Sequence, residues 1–97
     1  MKRGGHVYIM TNKRDGVLYT GVTSDLAARV TQHREGQGGG FTSKYGCKIL
    51  VYLEDYPTID EAIAREKAIK AWKRVWKIEV IEKQNPAWDD LYHKLLA

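Results

Sequence analysis

Two tyrosines, an arginine and a histidine in the first third of the chain have types and spacing that suit chemistry on a phosphate. Tyr8 and Tyr19 lie in two short apolar runs rich in strand-forming residues, joined by an Asp-Gly turn signal at 15–16. A hairpin closed at that turn places Tyr8 directly opposite Tyr19, so that the two phenols touch on one face. Arg29 and His33 follow four residues apart and therefore share one side of a helix. Together these groups could bind a phosphate and move a proton.

The predicted elements that position these groups form a small sheet covered by helices. The hairpin spans residues 6–23, and its strands are apolar on both faces, which indicates helices on both sides of the sheet. A third strand is predicted over 48–56, because its centre is apolar throughout. A chain of 97 residues suffices for one domain, 1–97, with its core at about 6–83. We therefore expect an α+β fold, an α/β sandwich with a three-stranded mixed or antiparallel sheet.

Helices are predicted from apolar periodicity and from their end signals. Thr58 and Glu61 form a capping box that starts a helix at residue 59. A later helix stops before the Asn-Pro pair at 85–86, because proline disfavours a helical residue before it. The glycine-rich stretch 36–40 is expected to be a mobile connector without regular structure. The predicted helices cover 24–35, 59 to 70 or 72, 78–83 and 87–96.

One carboxylate interrupts the apolar stripe of the helix that begins at residue 59. At 3.6 residues per turn, Glu66 points into the middle of that stripe. A carboxylate in an apolar face costs free energy unless it is paired or binds a metal ion. Glu66 is therefore either a metal ligand or one half of a partly buried salt bridge to Arg29 or a lysine. The stripe itself consists of Ile59, Ala62, Ile63 and Ile69.

Three short segments, His6-Val7-Tyr8, Tyr19-Thr20-Gly21 and Leu26-Ala27-Ala28-Arg29, carry a resemblance to a known family. In this order and spacing they resemble the signature of the GIY-YIG nuclease superfamily, in a small stand-alone form. His6 stands where the family has glycine, and Thr20 stands where it has isoleucine. Glu66 and Asn85 match the family's metal-binding glutamate and its functional asparagine near the C-terminus. The resemblance thus extends over nearly the whole chain.

The resemblance implies a metal-dependent endonuclease that hydrolyses a phosphodiester bond in DNA, structure-directed or weakly specific, in DNA repair or recombination. It implies a single Mg²⁺ or Mn²⁺ ion held by Glu66, with water and phosphate oxygens as the other ligands. Arg29 would pair with the scissile phosphate through its planar guanidinium. Tyr8 is favoured as the group that positions or deprotonates water, with Tyr19 bonded to phosphate or water. His33 could instead be the base, and the sequence leaves this choice open.

The net charge of +4 is concentrated in one segment. Residues 65–77 contain six basic residues and one glutamate. A helical run of one sign indicates a surface for a nucleic-acid backbone. Trp72 and Trp76 in this run could stack on bases, but core positions are the favoured interpretation. Glycine in a strand permits close approach of a phosphate or a helix, and the predicted substrate-binding residues are Gly21, Lys44, Lys67, Lys70, Arg74 and Asn85.

Several other classes of protein are not expected. One cysteine, Cys47, excludes an internal disulfide and fits a reducing, cytoplasmic environment. The longest clear apolar run, 49–53, is too short to span a bilayer, and no signal-peptide core follows the basic N-terminus. His93 has no metal-ligand spacing with His6 or His33, so zinc is not expected. We also expect neither membrane association nor a small-molecule cofactor.

Two other functions fit the same sequence. A non-catalytic nucleic-acid-binding module that retains the GIY-YIG fold would bind DNA in a salt-dependent manner without metal-dependent turnover. The departure at His6 permits this alternative. A protein-interaction module would instead use the tryptophan-rich last third to bind a protein partner or to form a homodimer. These alternatives stay open at the level of sequence.

Overall fold

The computed structural model describes residues 4–95, and within this range the chain forms three strands and five helices. The predicted domain limits at 1 and 97 and the predicted helix end at 96 lie outside the described residues. The strands are β1 (Gly5–Thr11), β2 (Leu18–Thr23) and β3 (Ile49–Tyr56). The helices are α1 (Leu26–Arg34), α2 (Gly40–Tyr45), α3 (Ile59–Lys70), α4 (Arg74–Gln84) and α5 (Tyr92–Leu95).

The three strands form one antiparallel sheet in the order β2-β1-β3. Alternation along the central strand β1 sends Val7 and Ile9 to one face and Tyr8 and Met10 to the other. All four side chains are buried, because helices cover both faces. The predicted α+β fold with a covered three-stranded sheet is confirmed, and the sheet is antiparallel.

Each face of the sheet has its own core. We call the face that carries Val7 and Ile9 the α3 face, because α3 and α4 pack on it. The face that carries Tyr8 and Met10 is the α1 face, which α1 and α5 cover. The α3 face buries Val51, Tyr52, Ala62, Ile69, Ile81 and Trp88 around its two β1 residues. The α1 face buries Leu26, Val30, Cys47, Leu50 and Leu91.

The hairpin register differs from the predicted one by two residues. Tyr8 pairs with Gly21, and Tyr19 pairs with Met10, so the predicted Tyr8–Tyr19 pair is wrong. The connection between the strands, residues 12–17, is longer than a two-residue Asp-Gly turn. The side chain of Asn12 closes it by accepting the Val17 N–H at 2.9 Å. A shift of two preserves the side-chain alternation, so both phenols still lie on one face.

The helix limits follow the predicted signals where those signals were local. The Thr58 hydroxyl accepts the Glu61 N–H at 3.2 Å, which confirms the predicted start of α3. Helix α4 begins at residue 74 instead of 78, and α5 covers only 92–95, after Trp88 has turned the chain with a φ of +56°. No helix within residues 4–95 combines the length and the apolar character needed to cross a bilayer.

Two further predictions fail around exposed and glycine-rich positions. Gly40 is the first residue of α2, so the prediction that 36–40 lacks regular structure is wrong at its end. Gly39 turns the chain into this helix with a φ of +121°, a conformation that favours glycine. Trp72 is half-buried against the α3-face core, but Trp76 is 50 % exposed, so its predicted core position is wrong.

Candidate active site

A hydrogen-bonded chain of three side chains is buried on the α1 face. The hydroxyl of Tyr8 lies 2.8 Å from Nε2 of His33, and Nδ1 of His33 lies 2.9 Å from Oγ1 of Thr42. The three residues come from β1, α1 and α2, and none is more than 2 % exposed. The fold therefore joins the histidine of the predicted site to one of its tyrosines, with Thr42 as a third member.

The acceptors in this chain define the direction of its protons. The Thr42 hydroxyl donates to the Gly39 carbonyl oxygen at 3.5 Å, so it accepts the N–H of His33 Nδ1. The other imidazole nitrogen, Nε2, is then the acceptor for the Tyr8 hydroxyl. This tautomer is assigned from the hydrogen-bond network. It points the phenolic proton at the unprotonated ring nitrogen.

Burial keeps both members of the tyrosine–histidine pair uncharged. It raises the pKa of Tyr8 to about 12, with a further rise from Tyr19 and an opposing effect of Arg29. Burial lowers the pKa of His33 to about 4, and the positive charge of Arg29 adds to this shift. At neutral pH a protonated phenol therefore faces a neutral imidazole.

Tyr19 brings the second phenol to this pair. Its ring centroid lies 6.3 Å from that of Tyr8. The Tyr19 and His33 rings meet edge to face, with their centroids 5.3 Å apart. Tyr19 is only half-buried, whereas Tyr8 is 1 % exposed. Of the two phenols, Tyr19 is thus the one that solvent reaches.

Arg29 lies at the edge of the same cluster and holds the glycine-rich loop. Its Nη1 donates to Oε1 of Gln32 at 3.1 Å, and its Nη2 donates to the Gly38 carbonyl oxygen at 3.2 Å. These bonds use two of the five guanidinium N–H groups. Gly38 must be glycine here, because a Cβ would lie 2.0 Å from Nδ1 of His33. The loop that leads to α2 is therefore packed directly on the site.

Gly21 permits a close approach, but not the one predicted. A Cβ at this position would lie 2.4 Å from both Cζ and the hydroxyl oxygen of Tyr8. The group that comes close to the strand is the Tyr8 ring, and neither a helix nor an open cleft for phosphate takes that space. Gly21 therefore positions Tyr8 within the cluster.

Glu66 approaches from the other side of the sheet. Ala62 and Ile69 of the same helix are fully buried on the α3 face, and Glu66 is 8 % exposed. Arg65 turns toward β3, where it binds Glu54 at 3.0 Å. Glu66 lies about 100° further round the helix, and α3 packs on β2 as well as on β1. Its buried position agrees with the prediction, and its salt-bridge partner is Lys70, at 2.8 Å.

The fold thus assembles Tyr8, Tyr19, Arg29 and His33 on the α1 face, whereas Glu66 lies on the α3 face. The sheet separates the two, and β2, which carries Tyr19, is one of its edge strands. A phosphate that contacted both sides would have to lie along the outer edge of this strand.

The donors that could hold a metal ion are those of a single-carboxylate site. Residues 4–95 contain no group of three or more histidine, cysteine, aspartate or glutamate side chains that could hold an ion. Mg²⁺ commonly takes one or two carboxylates, with water and substrate phosphate as its other ligands. Glu66 fits that pattern, since its partner Lys70 is half-exposed and can move away. In the described part of the chain, Thr20 of β2 also has a buried hydroxyl on this face without a hydrogen-bond partner.

The predicted basic contacts have different surroundings. Lys67 is exposed, while Lys70 binds Glu66. Arg74 donates to the carbonyl oxygens of Asp15 and Gly16, both at 2.7 Å, and so fastens α4 to the hairpin loop. Lys44 is exposed on α2, and its Nζ lies 5.3 Å from the ring centroid of Tyr45.

Asn85 is buried and bonded within the fold. Its Nδ2 donates to the carbonyl oxygens of Val51 at 3.0 Å and Asp89 at 2.9 Å, and its Oδ1 accepts the Asp89 N–H at 3.0 Å. Both amide N–H groups are used, so a phosphate would have to displace one of these bonds. The contacts give Asn85 a structural role, and its substrate contact stays a prediction.

Sequence reasoning missed Phe41 and the role of Gly38. Phe41 follows directly on the glycine run, and its ring lies 5.8 Å from that of Tyr19. Thr42 is the next residue, and the structure uses its hydroxyl to orient His33. Helix α2, six residues long and without apolar periodicity, offered no pattern that could have revealed these contacts.

Comparison with known proteins decides the family. Residues 4–79 match the GIY-YIG catalytic domain. The chain belongs to the GIY-YIG family. The predicted family is confirmed, and the matched span includes the two tyrosines, Arg29, His33 and Glu66. It ends before Asn85.

Relatives of this GIY-YIG protein are small bacterial proteins. It is 39 % identical over 79 residues to the UPF0213 protein SA0446 of Staphylococcus aureus strain N315, over 81 % of this chain and 96 % of that protein. The UPF0213 protein MW0443 of strain MW2 matches to the same extent. The solution NMR structure of the UPF0213 protein BH0048 from Bacillus halodurans is similar with a TM-score of 0.56 and 29 % identity. That alignment covers 90 % of this chain and 92 % of the other.

Proposed function

We propose that this GIY-YIG protein is a metal-dependent DNA endonuclease that hydrolyses a phosphodiester bond, structure-directed or weakly specific, in DNA repair or recombination. The family suggests a nuclease with a nucleic-acid substrate. The observation that carries the proposal is the buried bond between Tyr8 and His33 at 2.8 Å, beside Tyr19 and Arg29. The bond places a phenolic proton against an unprotonated imidazole nitrogen, which is the arrangement that proton transfer requires.

The tyrosines divide the work on the attacking water. Tyr19, the phenol that solvent reaches, holds the water or a phosphate oxygen. Tyr8 is buried behind it, and its proton can pass to Nε2 of His33. Because its pKa is about 12, Tyr8 is protonated in the resting site, and it can take a proton from water only as it gives its own to Nε2 of His33. Thr42 keeps the imidazole in the tautomer that accepts this proton.

Arg29 is the group proposed to bind the scissile phosphate. A planar guanidinium matches two phosphate oxygens and keeps its charge at every working pH. Because His33 is uncharged at neutral pH, the positive charge beside the phenols comes from Arg29. Binding a phosphate would exchange its contact with the Gly38 carbonyl oxygen for a stronger, charge-assisted bond.

Glu66 is the proposed ligand of a single Mg²⁺ or Mn²⁺ ion. When bound, such an ion would neutralise charge that develops on the phosphate. The carboxylate is buried on a helix that packs on β2, and Nζ of Lys70 lies 2.8 Å from its Oε2. Lys70, Lys67, Arg74 and Lys44 are proposed to follow the DNA backbone, and Asn85 is retained as a weaker candidate for the same role.

The direct test is cleavage of plasmid, branched and single-stranded DNA with Mg²⁺ or Mn²⁺. Under conditions in which the wild-type chain cleaves, we expect Glu66→Ala to abolish cleavage. The variant should keep the fold and most of the DNA binding. Glu79→Ala, which removes an exposed carboxylate from α4, is the matched control and should cleave normally. Equal behaviour of wild type and Glu66→Ala on every substrate would overturn the proposal.

A second candidate is a non-catalytic nucleic-acid-binding module. The observation that favours it is the salt bridge between Glu66 and Lys70, which lies on the opposite face of the sheet from Tyr8 and His33. This function predicts DNA affinity that falls with salt and no turnover with either metal ion. The same assays therefore decide between the two.

A further inference from the structure

Four large apolar side chains of the described residues are exposed, in two adjacent pairs. Val75 and Trp76 belong to α4, and Phe41 and Tyr45, 43 % and 42 % exposed, belong to α2. The α2 pair continues directly from the candidate active site. The ring centroids of Tyr19 and Phe41 are 5.8 Å apart, and those of Phe41 and Tyr45 are 4.8 Å apart. We call Tyr19, Phe41 and Tyr45 the aromatic platform.

The helix beneath the platform is anchored by a polar contact. Among the six residues 40–45 only Thr42 is buried, and its hydroxyl binds His33. The rings on the outer side of α2 therefore do not fill a core. The contact that orients the imidazole also holds the platform beside the site, so that site and platform form one surface.

We propose that the aromatic platform stacks an unpaired DNA base next to the phosphate at the site, so that the substrate is single-stranded or locally unpaired DNA. The proposal rests on the proposed nuclease function for the reaction and adds the class of substrate. In a continuous duplex, neighbouring bases cover both faces of each base. An exposed aromatic surface can therefore stack only where the strand is unpaired.

Charge at both ends of the platform suits a strand that passes over it. Nζ of Lys44 lies 5.3 Å from the ring centroid of Tyr45 at the outer end. Arg29 lies beyond the inner end, where it donates to the Gly38 carbonyl oxygen three residues before Phe41 and lies near Tyr8, whose ring centroid is 6.3 Å from that of Tyr19. If a base stacks on the platform, its two flanking phosphates lie toward these two cations. A neutral apolar partner would gain nothing from the two charges.

The test measures stacking without cleavage, in EDTA. A single-stranded oligonucleotide that carries 2-aminopurine and its fully paired duplex are titrated with the wild-type chain and with the double variant Phe41→Ala/Tyr45→Ala. We expect the wild type to bind the single strand more tightly than the duplex and to quench the 2-aminopurine emission. The double variant should lose about tenfold in single-strand affinity, lose the quenching, and keep its duplex affinity.

Three controls keep the result interpretable. Trp76→Ala removes a ring of the other pair that is at least as exposed, and it should leave the single-strand preference unchanged. Phe41→Leu/Tyr45→Leu keeps apolar surface but removes the π faces, and it replaces the alanine variant if circular dichroism shows that the latter unfolds. An abasic site at the 2-aminopurine position should lower wild-type affinity as much as the double variant does.

The outcomes separate this proposal from the proposed reaction. Quenching and single-strand preference, with no cleavage in the presence of either metal ion, would support the stacking proposal and overturn the proposed nuclease function. Cleavage with equal affinity for single strand and duplex, or an equal loss on both in the double variant, would overturn the platform alone. The platform is also overturned if the double variant binds DNA like the wild type, as expected of a surface for a protein partner.

Discussion

Within residues 4–95, two clusters of nearly equal composition lie on opposite faces of the sheet. Each contains two tyrosines, one arginine and one further titratable side chain. The His33 cluster on the α1 face consists of Tyr8, Tyr19, Arg29 and His33. The Glu54 cluster on the α3 face consists of Tyr52, Tyr56, Arg65 and Glu54. The difference between them lies in how completely their polar groups are paired.

The Glu54 cluster is closed. The carboxylate accepts from Nε and Nη2 of Arg65 at 3.0 and 3.1 Å, from Tyr56 at 2.8 Å, and from Tyr52. Burial raises the pKa of Glu54, but the bonds from Arg65 and from the two phenols outweigh it and lower the pKa overall. A carboxylate with four donors has little capacity left for a ligand.

The His33 cluster is open. Its arginine is bonded to the Gln32 side chain and a carbonyl oxygen instead of a carboxylate, and its phenol Tyr19 is half-exposed. The pKa shifts of Tyr8 and His33 come mainly from burial, and Arg29 offsets only part of the Tyr8 shift while it adds to that of His33. The contrast teaches that a cluster of tyrosines and an arginine indicates a binding site when it contains no carboxylate that pairs with the arginine.

The largest effect expected from this contrast is on catalysis. We expect Arg29→Ala to lower the rate of DNA cleavage by about 10³-fold, because a phosphate-binding arginine stabilises charge in the transition state. Stability should change by less than about 1 kcal/mol, since the bonds lost are to an exposed glutamine and one carbonyl. Single-turnover cleavage and urea unfolding measure the two quantities.

The matched control is the arginine of the closed cluster. Arg65→Ala should leave the cleavage rate unchanged and lower the free energy of unfolding by about 2 kcal/mol, because Glu54 loses its counter-charge in a half-buried position. If Arg65→Ala abolished cleavage, or if Arg29→Ala unfolded the protein, the distinction between an open and a closed cluster would be wrong.

The two clusters should also lose stability in different pH ranges. The pKa of His33 is lowered from 6.5 to about 4 by burial, so the unfolded chain takes up a proton first as the pH falls. Stability from this group is present above pH 6.5 and is lost between pH 6.5 and 4, on the order of 3 kcal/mol in total. The pKa of Glu54 is lowered from 4.5, so its contribution is lost only below that pH.

Urea unfolding at a series of pH values checks this separation. His33→Gln should flatten the profile between pH 6.5 and 4 and leave the decline at lower pH. Glu54→Gln should do the opposite. A wild-type profile that is level from pH 6.5 to 4 would contradict the buried, neutral state of His33.

The fold and the open cluster were largely predictable because their signals are local. Alternating apolar residues fixed the face of Tyr8 and Tyr19, and the four-residue spacing fixed that of Arg29 and His33. The error in register left the predicted face of the two tyrosines correct, because a shift of two residues preserves the side-chain alternation.

The closed cluster and the position of Glu66 relative to the phenols were not predictable. Glu54 and Arg65 are 11 residues apart in different elements, and no spacing rule pairs them. Glu66 stood out by its place in an apolar stripe, but which face of the sheet α3 would cover depends on how the chain crosses from β3. Side-chain anchors such as Thr42 likewise depend on tertiary contacts that leave no periodic pattern.

The smallest expected effect concerns the tautomer of His33. Thr42→Val removes the acceptor for Nδ1–H, which would leave that group buried and unpaired at a cost of about 1–2 kcal/mol. The imidazole can avoid this cost by moving its proton to Nε2, and Tyr8 would then have to accept where it had donated. Long-range nitrogen–proton NMR correlations report the tautomer directly. Thr42→Ser keeps the hydroxyl and should keep the Nδ1–H form, whereas an unchanged tautomer in Thr42→Val would mean that Thr42 does not direct the proton. In that case the open cluster would owe its direction to Tyr8 and Arg29 alone.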